Sequence, residues 1–304
     1  MPNFRMKHFL IKILLFLLTF AALEMSVSYI IYYKNVSNFA YKRFTVPKQR
    51  SLIIGTSRAA QAINPDILSV RLGCPPSYNY CFTIADSPSG EVYFNAITKM
   101  VDTSYNNGFF LIAVDPWFIS SSFHDGEETI YETDRVLGKM KTYHMNPNVE
   151  FILRYFSFTD FSWFGIGSKL LDNGQLYVPV DYSVEEKSRV LASRIEEYKS
   201  NNREFSSYRL MWLEKTIIYL LDYGDVVLCR LPVAEEMLEL ENARFPSFNT
   251  TIKDLAVKYS LNYYDLTDRY NDYPTNDGNH INYKYVDQLT NEICDSIILN
   301  NKVY

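Results

Sequence analysis

Hydrophobic and polar positions divide the chain into stretches of different rhythm. The first is almost continuously apolar: "FLIKILLFLLTFAALEMSVSYIIYY", Phe9 to Tyr33, follows a short tail carrying Arg5, Lys7 and His8. About 20 apolar residues span a bilayer, so the length suffices. Lys12 and Glu24 oppose insertion, a buried acid costing roughly 3 kcal/mol. Eleven Leu, Ile, Phe and Val residues between Ile13 and Tyr33 return roughly 3 to 7 kcal/mol, at about 0.3 to 0.6 each, so insertion wins over a buried soluble helix. A cleaved signal peptide is the nearer rival. The apolar run continues past Ala21 and Ala22, however, beyond a usual signal core and without a clean A-x-A site. Residues 1–33 therefore read as a tail and single transmembrane anchor, and the basic, proline-containing "KNVSNFAYKRFTVPKQR", 34–50, as a linker.

From Ser51 to the end, 51–304, short apolar runs alternate with helical spacing. "SLIIG", "YNYCFTI", "GFFLIAVDP", "DVVLCRLPV" and "LNYYDL" predict strands. "SGEVYFNAITKMVDTS", "SVEEKSRVLASRIEEYKSN", "SYRLMWLEKTIIYLLDYG" and "NTTIKDLAVKYS" predict helices. Such alternation predicts a three-layer α/β/α domain around a mostly parallel sheet. From about Phe118 to Asp181 neither period holds, which predicts an insertion over one end of the sheet.

Composition removes some classes of function. With 47% hydrophobic and 21% charged residues the 304-residue chain can bury a core, and a net charge of −5 gives no basic footprint for nucleic acid. Cys74, Cys81, Cys229 and Cys294 have neither CxxC spacing nor a histidine nearby, so no metal site is expected, and no cofactor motif is found. A Cys74–Cys81 disulfide stays open if the domain is exported. The 25 Tyr and 20 Phe fit a core better than a sugar-stacking surface. Positive charges after the span, Lys34, Lys42, Arg43, Lys48 and Arg50, outnumber those before it, which leaves membrane orientation open.

In open parallel sheets chemistry sits beyond the carboxyl ends of the strands. Ser57 in "SLIIGTSRAA" is so placed, although serine is also a common helix cap. A serine nucleophile needs a base, usually histidine. Of four histidines, His8 abuts the span and His124 and His144 fall in the insertion. His280, in "PTNDGNHINYKYV", follows Asp277 by three residues across a glycine turn, close enough for the carboxylate to fix the imidazole tautomer. Asp-Gly is an ordinary turn pair, and a histidine there can also cap the following helix.

Together, "GTSR" after the first strand and "DGNH" before the last helix resemble the SGNH (GDSL-like) hydrolases over about Ser51 to the end. The resemblance implies Ser57 as nucleophile, His280 as base and Asp277 as orienting acid. With the membrane anchor, the chain looks most similar to proteins that O-acylate envelope polymers, such as the alginate O-acetylation and teichoic acid D-alanyl transfer proteins. That implies an extracytoplasmic domain, a glycan substrate and a membrane-bound O-acyltransferase partner.

The oxyanion hole departs from the family, which adds to the serine's own N–H a glycine N–H and an asparagine amide. "NYCFTIADSPSG" offers only the backbone of Thr83 or Ala85 in the second place. "IAVDPWF" offers Asp115, Pro116 and Trp117 in the third, and an ionised Asp cannot donate. Losing one donor costs about 3 kcal/mol, which argues against a fast hydrolase more than against a slow transferase. Arg58, Asp115, Trp117 and Arg230 are candidate substrate contacts, with a structural ion pair the plainer role for Arg58. Arg230, in an apolar strand, needs a partner or an exposed end. "EEMLELENARFPSF" reads as a solvated helix and loop. The function expected is acyl transfer or ester hydrolysis on an envelope glycan, the rivals being an inert glycan-binding or assembly subunit and a soluble esterase with a cleaved signal.

Overall fold

A computed structural model describes residues 2–34, 39–123, 127–155 and 167–301. The chain divides into two units, Met1–Pro47 with Met140–Ile166, and Lys48–Lys139 with Gly167–Tyr304. In the first, one helix runs Pro2–Lys34, and its Met6–Ile30 portion is long and apolar enough to cross a membrane. Its large apolar side chains, Phe16 and Leu17 among them, are exposed rather than packed.

A second helix, Phe39–Thr45, forms inside the segment expected as linker. It forms because Tyr41 and Phe44, three apart, share one face and are fully buried. Tyr41 meets Phe151 of the Val149–Tyr155 helix edge-on at 5.3 Å, and its hydroxyl accepts the Asn148 N–H at 3.2 Å. His144 belongs to this unit, its ring Nδ1 2.6 Å from the Val46 carbonyl. Thus residues 140–155 of the expected insertion pack with the N-terminal segment. His124 lies outside the described residues.

The second unit holds the sheet: β1 (Ser51–Ile54), β2 (Ser77–Asn79), β3 (Gly108–Ala113), β4 (Gly224–Arg230) and β5 (Asn262–Asp265). The order is β2-β1-β3-β4-β5, with every pairing parallel. β1 and β3 are buried along their whole length, as continuous apolar runs require when both faces are covered. On one face Ile53, Leu111, Val227 and Cys229 pack with Ala59, Leu68, Leu289 and Ile293 from helices Ser57–Ala62, Pro65–Leu72 and Val286–Asn301. Helix Ser207–Leu221 packs against β4 and against helix Glu91–Met100. This is the three-layer α/β/α arrangement that the alternating pattern predicts.

Two expectations change. The apolar run Tyr78–Ile84 lies in the strand only over Tyr78 and Asn79; the Tyr80 N–H still bonds to the Ile53 carbonyl at 2.8 Å, and past the buried Phe82 the chain turns half-buried at the sheet's carboxyl edge. The segment expected as a solvated helix and loop does form a helix, Glu235–Arg244, but one that buries Met237 and Glu241 completely, with Phe245 and Phe248 buried just beyond it. Spacing of four puts Met237, Glu241 and Phe245 on one inward row. Cys74 and Cys81 are both free thiols.

Candidate active site

With this strand order the ligand crevice lies where chain direction switches, outside the ends of β1 and β3. β1 ends in Gly55 with φ +153°, where a Cβ would stand 2.9 Å from the Ala113 carbonyl oxygen. Only glycine lets the two strand ends approach so closely. Thr56 follows in extended conformation, and the next helix starts at Ser57. The Thr56 hydroxyl caps nothing in that helix, because it donates to Asp115 Oδ2 at 3.0 Å after β3.

Ser57 Oγ lies 2.9 Å from His280 Nε2, across 223 residues of sequence. His280 Nδ1 lies 2.9 Å and 3.1 Å from the Asp277 oxygens. A carboxylate facing Nδ1 holds the proton there and leaves Nε2 to accept from the serine. The aspartate is fixed by its own turn. Its Oδ1 accepts the N–H groups of Asn279 and His280 at 3.1 and 2.9 Å, and Gly278 between them has φ +86°. The Gly278 carbonyl accepts the Ala234 N–H at 2.9 Å, which pins the loop beyond β4. Burial would raise the Asp277 carboxyl, but its hydrogen bond to His280, the charge of that ring and the two backbone donors outweigh burial and hold it well below the carboxylate range.

A buried charge network supports this turn. Glu241 is fully buried, and its Oε1 accepts from Arg58 Nη2 at 2.6 Å and Trp117 Nε1 at 2.7 Å. Oε2 accepts from Arg230 Nη2 at 2.9 Å. Arg58 Nη2 also donates to Asn279 Oδ1 at 2.5 Å. One carboxylate thereby ties the loops after β1 and β3, the end of β4 and the Asp277–His280 turn. Against the cost of its burial, the charges of Arg58 and Arg230 keep Glu241 below its ordinary pKa. The Arg58 guanidinium, opposed by burial, is held above its ordinary value by Glu241 and Asp115.

The cleft beside Ser57, about 20 Å³ and open to solvent, is lined by Thr56, Ser57, Arg58, Ile84, Asp115, Trp117, Tyr198, Asn279 and His280. Tyr198 comes from helix Val184–Ser200 and meets Trp117 edge-on at 4.4 Å. Burial pushes its phenol pKa up. Of the second-block residues, Ile84 lines the cleft, lying between the expected donors Thr83 and Ala85. The turn is tied to the nucleophile loop by Ser87, whose hydroxyl donates to the Gly55 carbonyl at 2.9 Å and accepts the Phe82 N–H at 3.2 Å.

Among the substrate candidates, Arg58, Asp115 and Trp117 reach the cleft with their polar ends committed. Arg58 is on Glu241 and Asn279, Trp117 on Glu241, and Asp115 accepts from Thr56 and from the Phe118 N–H at 2.9 Å. The ion-pair role of Arg58 is the one observed. Arg230 does not line the cleft: it is 1% exposed and bound to Glu241 and Asn249, so its place as a substrate contact is withdrawn. Glu241, Asn279 and Tyr198 escaped the sequence reading. The one available signal for Glu241 was that two arginines next to apolar strands require a common acid.

No family model and no curated protein matches this chain. Among solved structures it is similar to Est24, a carbohydrate acetylesterase from Sinorhizobium meliloti, at 11% identity and a TM-score of 0.36, over 82% of this chain and 98% of that one.

Proposed function

We propose that this protein is a membrane-anchored serine esterase or O-acyltransferase of SGNH type, acting on O-acyl groups of an envelope polysaccharide. The observation that carries the reading is the continuous contact from Ser57 Oγ through both His280 nitrogens to Asp277. Ser57 Oγ attacks the acyl carbonyl while His280 Nε2 takes its proton, and Asp277 stabilises the imidazolium. The carbonyl oxygen becomes an oxyanion that accepts the Ser57 N–H and a backbone N–H of the Thr83–Ala85 turn. Collapse expels the alcohol, which His280 protonates, and leaves an acyl-serine. Water or a sugar hydroxyl then attacks it, with His280 again as base. The cleft has only about 20 Å³ of accessible space, far below the roughly 300–1,000 Å³ of sites for drug-sized ligands, which favours a short acyl group.

The Met6–Ile30 helix holds the domain at the membrane, on the extracytoplasmic side, beside a membrane-bound acyltransferase that hands over the acyl group. A second reading, an inert glycan-binding subunit, is favoured by Asp115, whose oxygens are both occupied and which cannot donate. Purified full chain in detergent, given p-nitrophenyl acetate and an O-acetylated polysaccharide with and without a hydroxyl acceptor, separates the two. Acetate release or transfer that disappears in Ser57→Ala supports the enzyme. Turnover unchanged in Ser57→Ala, or none in folded wild type, removes it.

A further inference from the structure

After β3 the side-chain donor of the cleft, Trp117 Nε1, is taken by Glu241, yet an amide also lines it. Asn279 is 3% exposed and stands immediately before the base, in the same small cleft as Ser57. Its orientation is set by chemistry: guanidinium has only donors, so the Asn279 atom 2.5 Å from Arg58 Nη2 is the carbonyl oxygen. The amide nitrogen is therefore the end that Arg58 does not hold, and Asn279 shares the cleft with Tyr198, to which its side chain hydrogen-bonds. The NH2 group carries two protons, and Tyr198 can occupy only one of them. Arg58 is itself immobilised by Glu241, which is fully buried. The network from Glu241 through Arg58 thus aims an amide, and preorganised donors of this kind stabilise an oxyanion most.

We propose that Asn279 is a catalytic residue, donating from Nδ2 to the oxyanion in place of the donor that Asp115 cannot supply. This rests on the acyl-serine reading above and deepens it. It also gives the buried Glu241–Arg58 pair a purpose beyond holding loops together.

The test separates donation from structural support. Asn279→Asp keeps an oxygen for Arg58 and removes the donor; its added buried charge lowers the melting temperature, and in the folded variant kcat on p-nitrophenyl acetate falls about 100- to 1,000-fold with KM nearly unchanged. Asn279→Ala loses both contacts, so its melting temperature falls together with kcat. Asn279→Asp within fivefold of an active wild type overturns the assignment and leaves the Ser57 mechanism standing. A folded wild type with no Ser57-dependent turnover overturns both.

Discussion

Replacing Glu241 with glutamine changes one oxygen for an NH2 at nearly constant volume. The carboxylate is fully buried and serves Arg58, Arg230 and Trp117 at 2.6–2.9 Å. Around it the charges balance, Arg58 and Arg230 against Glu241 and the nearby Asp115 that also acts on Arg58. Glu241→Gln leaves one buried positive charge uncompensated and turns an NH2 toward guanidinium donors that cannot accept. Breaking a buried ion pair in this way costs about 3–5 kcal/mol, a large part of the roughly 5–15 kcal/mol that holds a domain folded. At about 2–4 °C per kcal/mol for a domain of this size, the melting temperature near pH 7 falls by roughly 6–20 °C. Circular dichroism of the detergent-solubilised full chain reads it. Because folding lowers the Glu241 pKa below 4.5, its contribution is present above that value and is lost as pH falls through the folded-state pKa. The gap between wild type and variant must therefore narrow below about pH 4.5. A melting shift under about 2 °C at pH 7, or a gap that persists in acid, refutes Glu241 as the shared counter-ion.

Asp277→Asn removes the acceptor that fixes the His280 tautomer, and kcat/KM on a small ester falls on the order of 10³–10⁴-fold in initial-rate assays. Folding depresses the Asp277 pKa well below 3.8, so the stability this variant loses is present above that pH and disappears only as pH drops through the folded value, as a series of melts from pH 7 into strong acid will register. Gly55→Ala places a Cβ 2.9 Å from the Ala113 oxygen at φ +153°, and chemical denaturation should give a loss of about 2–3 kcal/mol together with reduced turnover. Ser87→Ala removes the hydroxyl that bonds the buried Gly55 carbonyl and Phe82 N–H, and should cost about 1–3 kcal/mol in the same experiment; stability equal to wild type would detach the Thr83–Ser87 turn from the loop after β1.

What sequence could reveal followed from local pattern. β1, β3 and β4 read clearly because strands covered on both faces are continuous apolar runs. Ser57, Asp277 and His280 were legible because two short turns each carry a chemical type that the other needs. The run Tyr78–Ile84 misled, since Tyr80, Cys81 and Phe82 are buried beyond the end of the strand at Asn79. Periodicity measures burial and is blind to hydrogen bonding. Residues 34–50 read as linker because Lys42 and Arg43 mask Tyr41 and Phe44, whose burial depends on Phe151, more than 100 residues away. Glu241 was hidden for a related reason. In an acidic helix nothing local separates a solvated glutamate from one enclosed by Arg58 and Arg230, whose positions 58 and 230 only the folded sheet unites.

The central claim is that His280 makes the Ser57 hydroxyl nucleophilic. A fluorophosphonate reports this directly, because the activated oxygen displaces fluoride and forms a stable phosphonyl ester that mass spectrometry locates. The account predicts one adduct on the peptide bearing Ser57, absent in Ser57→Ala and slowed at least about a hundredfold in His280→Ala. Folded wild type that stays unlabelled, or an adduct that survives in Ser57→Ala, would contradict it.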